Sequence, residues 1–201
     1  MVVDGIYYAL ALTVGGVVVG FLTHPAFGIP LYLLALFCLY FFRDPNREIP
    51  SGPVAVSPAD GKVVSVKNFS PGSTRISIFL NIFDVHVNRS PIGGVISKVH
   101  YQKGRFRVAS REIASSENEQ NTVTVTGEGT SIIFSQIAGL IARRIVFKKR
   151  EGDKVRKGER VGLIKFGSRL DIFLGPDWEV TVKQGERVAC GSSVIARRKQ
   201  N

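Results

Sequence analysis

The sequence predicts a mainly β protein, a β-sandwich or barrel, preceded by a hydrophobic helical hairpin at the N-terminus. Three observations lead to this prediction. The first 42 residues contain one acidic or basic residue, Asp4; the remainder has short β-branched segments between glycine turns; and one glycine pattern occurs twice, 33 residues apart. A chain of 201 residues accommodates one domain of about 150 residues and an appendage, so we expect a self-sufficient core.

The N-terminal hairpin consists of two apolar runs, Gly5 to Leu22 and Ala26 to Phe42, of 18 and 17 residues. As helices they would each reach roughly 26 Å, close to the ~30 Å hydrocarbon core of a bilayer. We therefore predict that residues 1–42 are membrane-associated, either spanning or re-entrant. A helical hairpin buried in a soluble core is the alternative, and the absence of a polar face argues against it. A cleaved signal peptide is disfavoured because no basic segment precedes the first run.

Residues 43–201 are predicted to form one β-rich domain with a strong positive charge. They carry all 27 basic residues and 15 of the 16 acidic residues, a net charge of +12. Such an excess indicates an anionic partner, either nucleic acid or an anionic lipid surface. The attached hairpin favours the lipid, where each basic residue near the leaflet contributes about 1 kcal/mol. The candidate contacts are the clusters Arg143-Arg144, Lys148-Lys149-Arg150 and Arg197-Arg198-Lys199.

The flanking residues and the cysteines bear on the location of the protein. Arg43 and Arg47 directly follow the second apolar run. The positive-inside rule then predicts a cell-membrane protein whose polar domain lies on the cytoplasmic side. Cys38 lies in the hairpin and Cys190 near the C-terminus, so a disulfide would have to join membrane to domain. A reducing compartment is the simpler interpretation.

The segments after Pro50 alternate between apolar and polar residues or are continuously apolar, and β-branched residues are frequent. Turn dipeptides such as Pro71-Gly72, Gly93-Gly94 and Glu128-Gly129 supply positive φ between them. These features are typical of strands in a sandwich or barrel. The predicted strands are Val54–Val56, Lys62–Val66, Arg75–Leu80, Thr122–Thr126 and Ser131–Phe134.

The repeated pattern is Gly, acid, x, Val, x, x, Gly, and it begins at Gly152 and again at Gly185. It resembles the strand-turn-strand unit of lipoyl and biotinyl carrier folds. Two copies so close together predict a pseudo-symmetric β-sandwich whose halves pack on each other. A carrier would place its modified lysine in a hairpin between the halves, whereas this chain has Phe166-Gly167-Ser168-Arg169 there.

Among the histidines, His86 is the strongest candidate for acid–base chemistry. It lies where an apolar strand ends among Asp84, Asn88 and Arg89, a density of functional groups that a plain strand does not need. His100 alternates within a predicted strand, and a structural role is expected for it. His24 lies in the apolar hairpin and is also expected to be structural.

Asp60 is a second candidate, in Ser57-Pro58-Ala59-Asp60-Gly61. The residues alone leave two interpretations open, a catalytic carboxylate or the first residue of a type I′ hairpin turn. The sequence contains no metal-ligand spacing, phosphate-binding loop or Gly-x-Ser-x-Gly motif, so no metal is expected.

The bond between Gly167 and Ser168 is a candidate for self-cleavage, which would leave a carbonyl in place of the serine amine. A glycine before the serine suits this chemistry because its missing Cβ permits a strained backbone. Two rival bonds are less suitable. The Gly191-Ser192 bond lies inside the repeat, and cleavage there would leave only ten residues, too few to complete a site. Gly72-Ser73 follows Pro71 in an ordinary turn.

Five motifs occur in an order and spacing that resemble phosphatidylserine decarboxylase of the short, compact type. The resemblance covers residues 41 to about 196 and also accounts for the apolar hairpin. Each motif alone is modest, but five in order are specific. The motifs are residues 41–50 (FFRDPNREIP), 57–61 (SPADG), 81–89 (NIFDVHVNR), 116–119 (SENE) and 166–169 (FGSR).

The resemblance implies a proenzyme that makes its own pyruvoyl group. Ser168 would attack the carbonyl of Gly167, and β-elimination followed by hydrolysis would yield a β chain of residues 1–167, a pyruvoyl at position 168 and ammonia. The α chain of residues 168–201 would stay bound without a covalent link. The amine of phosphatidylserine would form a Schiff base with the pyruvoyl, lose CO2 and be released as phosphatidylethanolamine. Asp60, His86 and Ser168 match the family's Asp-His-Ser arrangement for self-cleavage, and His86 could also protonate the product carbon.

The sequence departs from the longer type of the family at two points. The longer type has two histidines three residues apart, whereas this chain has His86 and then Arg89. Either one histidine serves both maturation and turnover, or maturation uses a different base. The Leu-Gly-Ser-Thr cleavage motif is replaced by Phe-Gly-Ser-Arg, as expected of the short type.

Other functions remain as alternatives. Archaetidylserine would present the same amine and carboxylate, so the sequence leaves open whether the lipid tails are esters or archaeal ethers. A membrane-tethered lipoyl-like carrier would need an exposed lysine, for which Lys165 is the only nearby candidate. A nucleic-acid-binding β-domain would explain the charge but lacks interleaved aromatic residues, so no nucleic acid is expected. Whether the chain forms a homo-oligomer is also left open.

Overall fold

The computed structural model describes residues 2–69, 72–109, 112–140, 144–165 and 168–199. By their internal contacts these residues fall into two compact units, residues 1–46 and residues 47–201. The first unit is helical and the second is β-rich.

The helical unit contains two α-helices, α1 (Val3–Leu22) and α2 (Ile29–Phe41), with a 3₁₀ turn at Pro25–Gly28 between them. The helices approach closely where glycine leaves room, since a Cβ on Gly16 would lie 2.5 Å from the ring of Tyr32. By length and composition, α1 is able to cross a membrane. The second helix has 13 residues, or about 20 Å, because its apolar run begins with the 3₁₀ turn.

The β-rich unit confirms the predicted mainly β fold. Its largest sheet has eight strands and curls into a half-barrel, in the order β13-β2-β3-β11-β7-β6-β5-β9. The strands of this sheet are β2 (Gly61–Phe69), β3 (Ser73–Leu80), β5 (Gly94–Gln102), β6 (Gln120–Gly127), β7 (Thr130–Ile137), β9 (Lys154–Val155), β11 (Ser168–Leu174) and β13 (Arg187–Val188).

Two three-stranded sheets complete the unit, in the orders β1-β14-β12 and β4-β10-β8. A single apolar cluster contains buried side chains from all three sheets, among them Ala55, Ile172 and Val161, so the core lies between the large sheet and the two small ones. The small-sheet strands are β1 (Val54–Val56), β4 (Val87–Arg89), β8 (Arg144–Phe147), β10 (Arg160–Lys165), β12 (Trp178–Val180) and β14 (Val194–Arg198), and a short helix, α3 (Ala114–Glu117), precedes β6.

All five predicted strands are observed, four of them longer than predicted. The predicted two-residue turn at Glu128-Gly129 is confirmed, because both residues have positive φ and they join β6 directly to β7. A positive φ at a residue other than glycine is uncommon, and here the tight hairpin between paired strands requires it.

The glycine repeat has a structural counterpart. Gly152 and Gly158 in the first copy, and Gly185 and Gly191 in the second, all have φ between 74° and 97°. In each copy a two-residue strand extends the large sheet, β9 at one edge and β13 at the other. The following strand, β10 or β14, then joins a small sheet. The two copies of the repeat therefore form the two edge strands of the large sheet in the same way.

Strand β11 lies in the middle of the large sheet, between β3 and β7. It forms seven residue pairs with β3 and five with β7. Its even-numbered residues Leu170, Ile172 and Leu174 belong to the core. Because side chains alternate along a strand, Ser168 points to this core side and Arg169 to the opposite side.

Candidate active site

Ser168 is the first residue of β11 and pairs with Leu80, the last residue of β3. It is completely buried. Its Oγ has no hydrogen-bond partner among the residues that the structure describes. A buried hydroxyl without a partner is rare, because its desolvation is not compensated. Phe166 and Gly167, the residues on the other side of the candidate bond, lie outside the described residues.

His86 lies directly before β4 and is also almost completely buried. Strand β4 pairs with β10, the strand that runs toward the Gly167-Ser168 bond. The main-chain oxygen of His86 accepts a hydrogen bond from the amide of Ile164, at 3.3 Å. His86 is therefore fixed beside a residue that lies four positions before Ser168.

The imidazole of His86 is held by the main chain of its own turn. Its Nδ1 lies 2.9 Å from the carbonyl oxygen of Asp84. A carbonyl oxygen only accepts hydrogen bonds, so Nδ1 carries the proton in this contact. In neutral histidine, Nε2 then bears the lone pair, and it is the ring nitrogen that can accept a proton.

The turn before His86 is braced by side chains. The amide of Asn81 donates to Asp84 Oδ2 at 2.9 Å, and the amide of Phe83 donates to Asn81 Oδ1 at 2.8 Å. The other oxygen of Asp84 forms an ion pair with Arg187 on β13. Both ends of the turn are thus tied to the sheet, which limits the movement of the His86 ring.

Asp60 directly precedes β2, and it is not in a hairpin turn. Gly61 opens β2 with a φ of 146°, and a Cβ there would lie 2.2 Å from the oxygen of Phe79. The Asp60 carboxylate forms an ion pair with Arg47, at 2.9 Å, and accepts the amide of Cys190 at 2.6 Å. Lys62 pairs with Phe79. Asp60 therefore lies level with the turn that follows Leu80, at the Ser168 end of the sheet.

A chain of buried amides connects the loop of Asp60 to the middle of the large sheet. Asn121 donates to Gln136 at 3.1 Å, and Gln136 donates to Asn88 at 2.9 Å. The main chain of Arg89 donates to Pro58 in the Asp60 loop at 3.1 Å. Gln136 itself pairs with Leu170 on β11. The chain therefore joins β4, the Asp60 loop and the strand of Ser168.

Arg169 is fully buried on the opposite side of β11 from Ser168. Its guanidinium donates to Asp171 at 2.6 Å and to Ser77 on β3 at 2.7 Å, and it lies 3.4 Å from Glu112. Glu112 belongs to the segment that leads into α3. The side chain after Ser168 is thus fixed to its own strand, to the neighbouring strand and to a covering segment.

The other two histidines and Arg89 have different surroundings. His100 is exposed on β5, and two strands, β6 and β7, separate it from β11. His24 lies in the helical unit, where its ring accepts the amide of Ala26 at 3.3 Å. Arg89, at the position of the second histidine, donates to the oxygen of Gly158 at 3.1 Å. Within the β-rich unit, His86 is the histidine whose main chain bonds to β10, at Ile164, four positions before Ser168.

The structure also shows the positions of the carrier-type lysine and of residues in the basic clusters. Lys165, the carrier candidate, is buried at the end of β10 and is not at an exposed hairpin tip. In the basic clusters, Lys149 forms an ion pair with Glu159 at 2.6 Å, and Lys199 donates to the oxygen of Pro176 at 2.7 Å. Arg143 lies outside the described residues. Across the described ranges, no group of three His, Cys, Asp or Glu side chains could hold a metal ion.

The contacts of Arg47, the amide chain and the burial of Arg169 were not predicted from the sequence. Arg47 was interpreted as a residue flanking the membrane, and its ion pair joins positions 13 apart in the chain. Gln136 and Asn121 lie in strands whose alternation predicts that they face the core but does not predict their hydrogen-bond partners. An apolar–polar alternation that places an amide on the core side is the one signal that could have found them.

Comparisons with known proteins show the family to which the chain belongs. The family profile described as Phosphatidylserine decarboxylase matches residues 34–196. A phosphatidylserine decarboxylase proenzyme of Solibacter usitatus is 67% identical over 198 residues, 98% of this chain and 97% of the relative. Proenzymes of the same name from Magnetococcus marinus and Syntrophus aciditrophicus are 44% and 46% identical, over 84% and 80% of this chain and 81% and 79% of the relatives.

These matches first define the class of protein, a lyase that removes a carboxylate as CO2. More narrowly, the chain belongs to the phosphatidylserine decarboxylase family. Its reaction converts phosphatidylserine to phosphatidylethanolamine and CO2, and nothing favours a carrier or an archaetidylserine decarboxylase.

Proposed function

We propose that the chain cleaves its own Gly167-Ser168 bond and decarboxylates phosphatidylserine at a pyruvoyl group made from Ser168. The observation that carries the proposal is the buried Ser168 Oγ, which has no hydrogen-bond partner among the described residues. A structural serine at this depth would be bonded, whereas a nucleophile must be free to reach the preceding carbonyl. The surroundings of Ser168 therefore fit a serine that is converted to the pyruvoyl group.

The self-cleavage needs a base, and His86 is the proposed one. Its Nε2 accepts the proton of Ser168 Oγ, and the oxygen attacks the carbonyl carbon of Gly167. The peptide bond breaks, the proton passes to the leaving nitrogen, and an ester joins the two residues. Loss of the Ser168 Cα proton then expels Gly167 as a carboxylate and leaves dehydroalanine. One water converts dehydroalanine to the pyruvoyl group and releases ammonia.

The pyruvoyl group supplies the carbonyl that takes up the electron pair left when CO2 departs. The proposed role of His86 in turnover is to deliver a proton to the carbon that lost the carboxylate. Its neutral form, with the proton on Nδ1 held by Asp84, must first take a proton onto Nε2. The near-complete burial of Ser168 and His86 keeps bulk water from competing for the reacting carbon.

Asp60 is proposed to act on His86 through its charge. When His86 accepts a proton, the imidazolium is favoured by a nearby anion. The Asp60 carboxylate is held in place by two partners. Arg47 donates to both of its oxygens, and the Cys190 amide donates to Oδ1. One histidine then serves both maturation and turnover, since the guanidinium of Arg89 is directed to Gly158.

The two chains made by cleavage would stay together through the sheet. The α chain, residues 168–201, contains β11 to β14, and β11 pairs on both sides with strands of the β chain. Two further strands of the α chain pair with the β chain, β14 with β1 and β13 with β2. No covalent link is needed to keep position 168 in the sheet, opposite Leu80.

The helical unit is proposed to anchor the enzyme in the cell membrane, with the β-rich unit on the cytoplasmic side. Many of the large apolar side chains on α1 and α2 are exposed, Phe21 by 88%. Contact with lipid would remove this surface from water. The positive charge of the β-rich unit favours an anionic leaflet, where the aminophospholipid substrate resides.

The proposed function is tested with Ser168→Ala and a matched control, Ser192→Ala, which alters the serine of the rival Gly191-Ser192 bond. The assay measures release of CO2 from carboxyl-labelled phosphatidylserine together with labelling of the small chain by a hydrazine. We expect both signals in the wild type and in Ser192→Ala, and neither in Ser168→Ala. Turnover by Ser168→Ala would overturn the pyruvoyl assignment.

A further inference from the structure

Exposed apolar side chains surround the end of the sheet at which Ser168 lies. Strands β3 and β7 flank β11, and both end where β11 begins, at Leu80 and Ile137. The turn after β3 exposes Ile82 and Phe83, by 37% and 60%. The segment after β7 exposes Leu140, by 58%. We call these three side chains, Ile82, Phe83 and Leu140, the apolar rim.

The rim is placed on a fixed support. Ile82 and Phe83 occupy the two central positions of the turn that Asn81 and Asp84 close with side-chain hydrogen bonds. Exposed apolar surface on such a turn is in contact with water, which is unfavourable. A partner that covers it would recover that free energy.

Exposed cations accompany the rim at the same end of the sheet. Lys62 and Arg187 pair with each other across β2 and β13, and both are exposed. Arg144 is exposed at the start of β8, opposite Lys165. Apolar side chains surrounded by cations match the chemistry of a membrane surface with anionic headgroups and an apolar interior.

The substrate places a constraint on this end of the protein, if the proposed function holds. The reactive carbon of phosphatidylserine is only a few bonds from its glycerol and acyl chains. Pulling those chains out of the bilayer would expose each of their CH2 groups to water, which is unfavourable. The surface next to Ser168 must therefore meet the bilayer interface while the tails stay in it.

We propose that the apolar rim inserts into an anionic bilayer and holds the entrance to Ser168 at the headgroup level. Ile82 and Phe83 enter from one side of β11 and Leu140 from the other, so the lipid headgroup reaches Ser168 between them. Lys62 and Arg144 contact the surrounding anionic headgroups, while Arg187 keeps its ion pair with Asp84.

Insertion is measured with Phe83→Trp and with a matched control, Phe69→Trp, in the full chain bound to vesicles of phosphatidylserine and brominated phosphatidylcholine. Phe69 is exposed at the other end of the sheet, where it pairs with Ser73, about 23 Å along β3 from Leu80. We expect bromine to quench the fluorescence added at position 83 at least threefold more than that added at position 69. Equal quenching at both positions would overturn the proposal.

The kinetic test compares Phe83→Ser, Leu140→Ser and the control Phe69→Ser on two forms of phosphatidylserine. For vesicles we expect KM to rise about tenfold in both rim variants and to stay within twofold in the control. For dihexanoyl phosphatidylserine dissolved as monomers, all three should match the wild type. Equal increases in KM on both substrates would mean that the rim binds the headgroup or supports the fold, which would overturn the proposal. An unchanged KM on vesicles would also overturn it, because the rim would then contact another protein or nothing.

The two proposals fail in different ways. If the wild type decarboxylated neither substrate, the proposed function would be wrong, and the quenching at position 83 would still decide whether the rim enters the bilayer. If decarboxylation were normal and position 83 were not quenched, the rim proposal alone would be wrong. If a second copy of the chain covered the rim instead of the bilayer, position 83 would not be quenched and Phe83→Ser would change the oligomeric state.

Discussion

The Nδ1 atom of His86 lies 2.9 Å from the carbonyl oxygen of Asp84, two residues earlier in the same turn. This contact assigns the imidazole proton to Nδ1 and leaves the lone pair on Nε2. In many catalytic histidines a separate carboxylate performs this task. Here the backbone performs it, and the Asp84 side chain instead braces the turn through Asn81 and Arg187.

His86→Ala is expected to slow self-cleavage strongly and to abolish decarboxylation. Removing the proposed base should slow cleavage by about 10²-fold or more. The measurement is the fraction of uncut chain against time after synthesis, together with CO2 release. His100→Ala is the matched control, because His100 is exposed on β5 and should change neither rate. Normal cleavage in His86→Ala would show that maturation uses a different base.

Asp84→Ala is expected to slow cleavage about tenfold without blocking it, because the turn loosens while the Asp84 carbonyl and the His86 ring remain. The matched control is Asp153→Ala. Asp153 also accepts a turn amide, that of Arg150 at 2.8 Å, but no histidine depends on that turn. Both variants are measured by the same time course. Equal effects of the two substitutions on cleavage would show that the Asn81–Asp84 turn does not position His86.

Arg169→Met is expected to weaken the attachment of the α chain. The substitution leaves Asp171 buried without its closest cation, and breaking a buried ion pair typically costs about 3–5 kcal/mol. After cleavage β11 begins at position 168, and Arg169 is the first side chain that fixes its new end to Ser77 and Glu112. We expect a lower midpoint for dissociation of the two chains in urea.

The control for Arg169→Met is the double variant Arg169→Met/Asp171→Leu. It removes the unpaired charge and should recover part of the lost stability. Equal midpoints for the wild type and Arg169→Met would show that the buried cluster does not hold the end of β11.

Cys190 is expected to be unreactive toward alkylating reagents in the folded protein even at alkaline pH. Burial raises the pKa of its thiol, and the nearby Asp60 charge raises it further. The thiol of the unfolded chain ionises near pH ~8.5, so unfolding gains a thiolate above that pH. The contribution of Cys190 to stability is therefore constant below pH ~8.5 and becomes unfavourable as the pH rises.

The measurement for Cys190 is the alkylation rate at pH 9, followed by peptide mapping that separates Cys190 from Cys38. We expect the native protein to react at least 100-fold more slowly than the protein in urea. Rapid labelling of native Cys190 would show an open path to the amide that binds Asp60.

The strands and the repeat could be predicted because they depend on local patterns. Alternation along β3 and β6, and positive φ at the paired glycines, are properties of the nearby sequence. The β-rich fold followed from these patterns. The second helix was predicted too long, because the proline at position 25 starts a 3₁₀ turn before α2.

The environment of the candidate site could not be predicted because its contacts join distant parts of the chain. Asp60 binds the amide of Cys190, 130 positions away, and Arg89 binds Gly158, 69 positions away. The motif of Asp60 alone equally fitted a hairpin turn, and only the close approach of Gly61 to Phe79 excludes it. The exposure of Phe83 likewise depends on how the turn is supported.

The central claim, self-cleavage at one bond, is tested most directly by mass spectrometry of the purified protein under denaturing conditions. The account predicts two chains separated between Gly167 and Ser168, the smaller one of residues 168–201 with a pyruvoyl group at its N-terminus. A single intact chain of 22.0 kDa from a folded, membrane-bound preparation would contradict it.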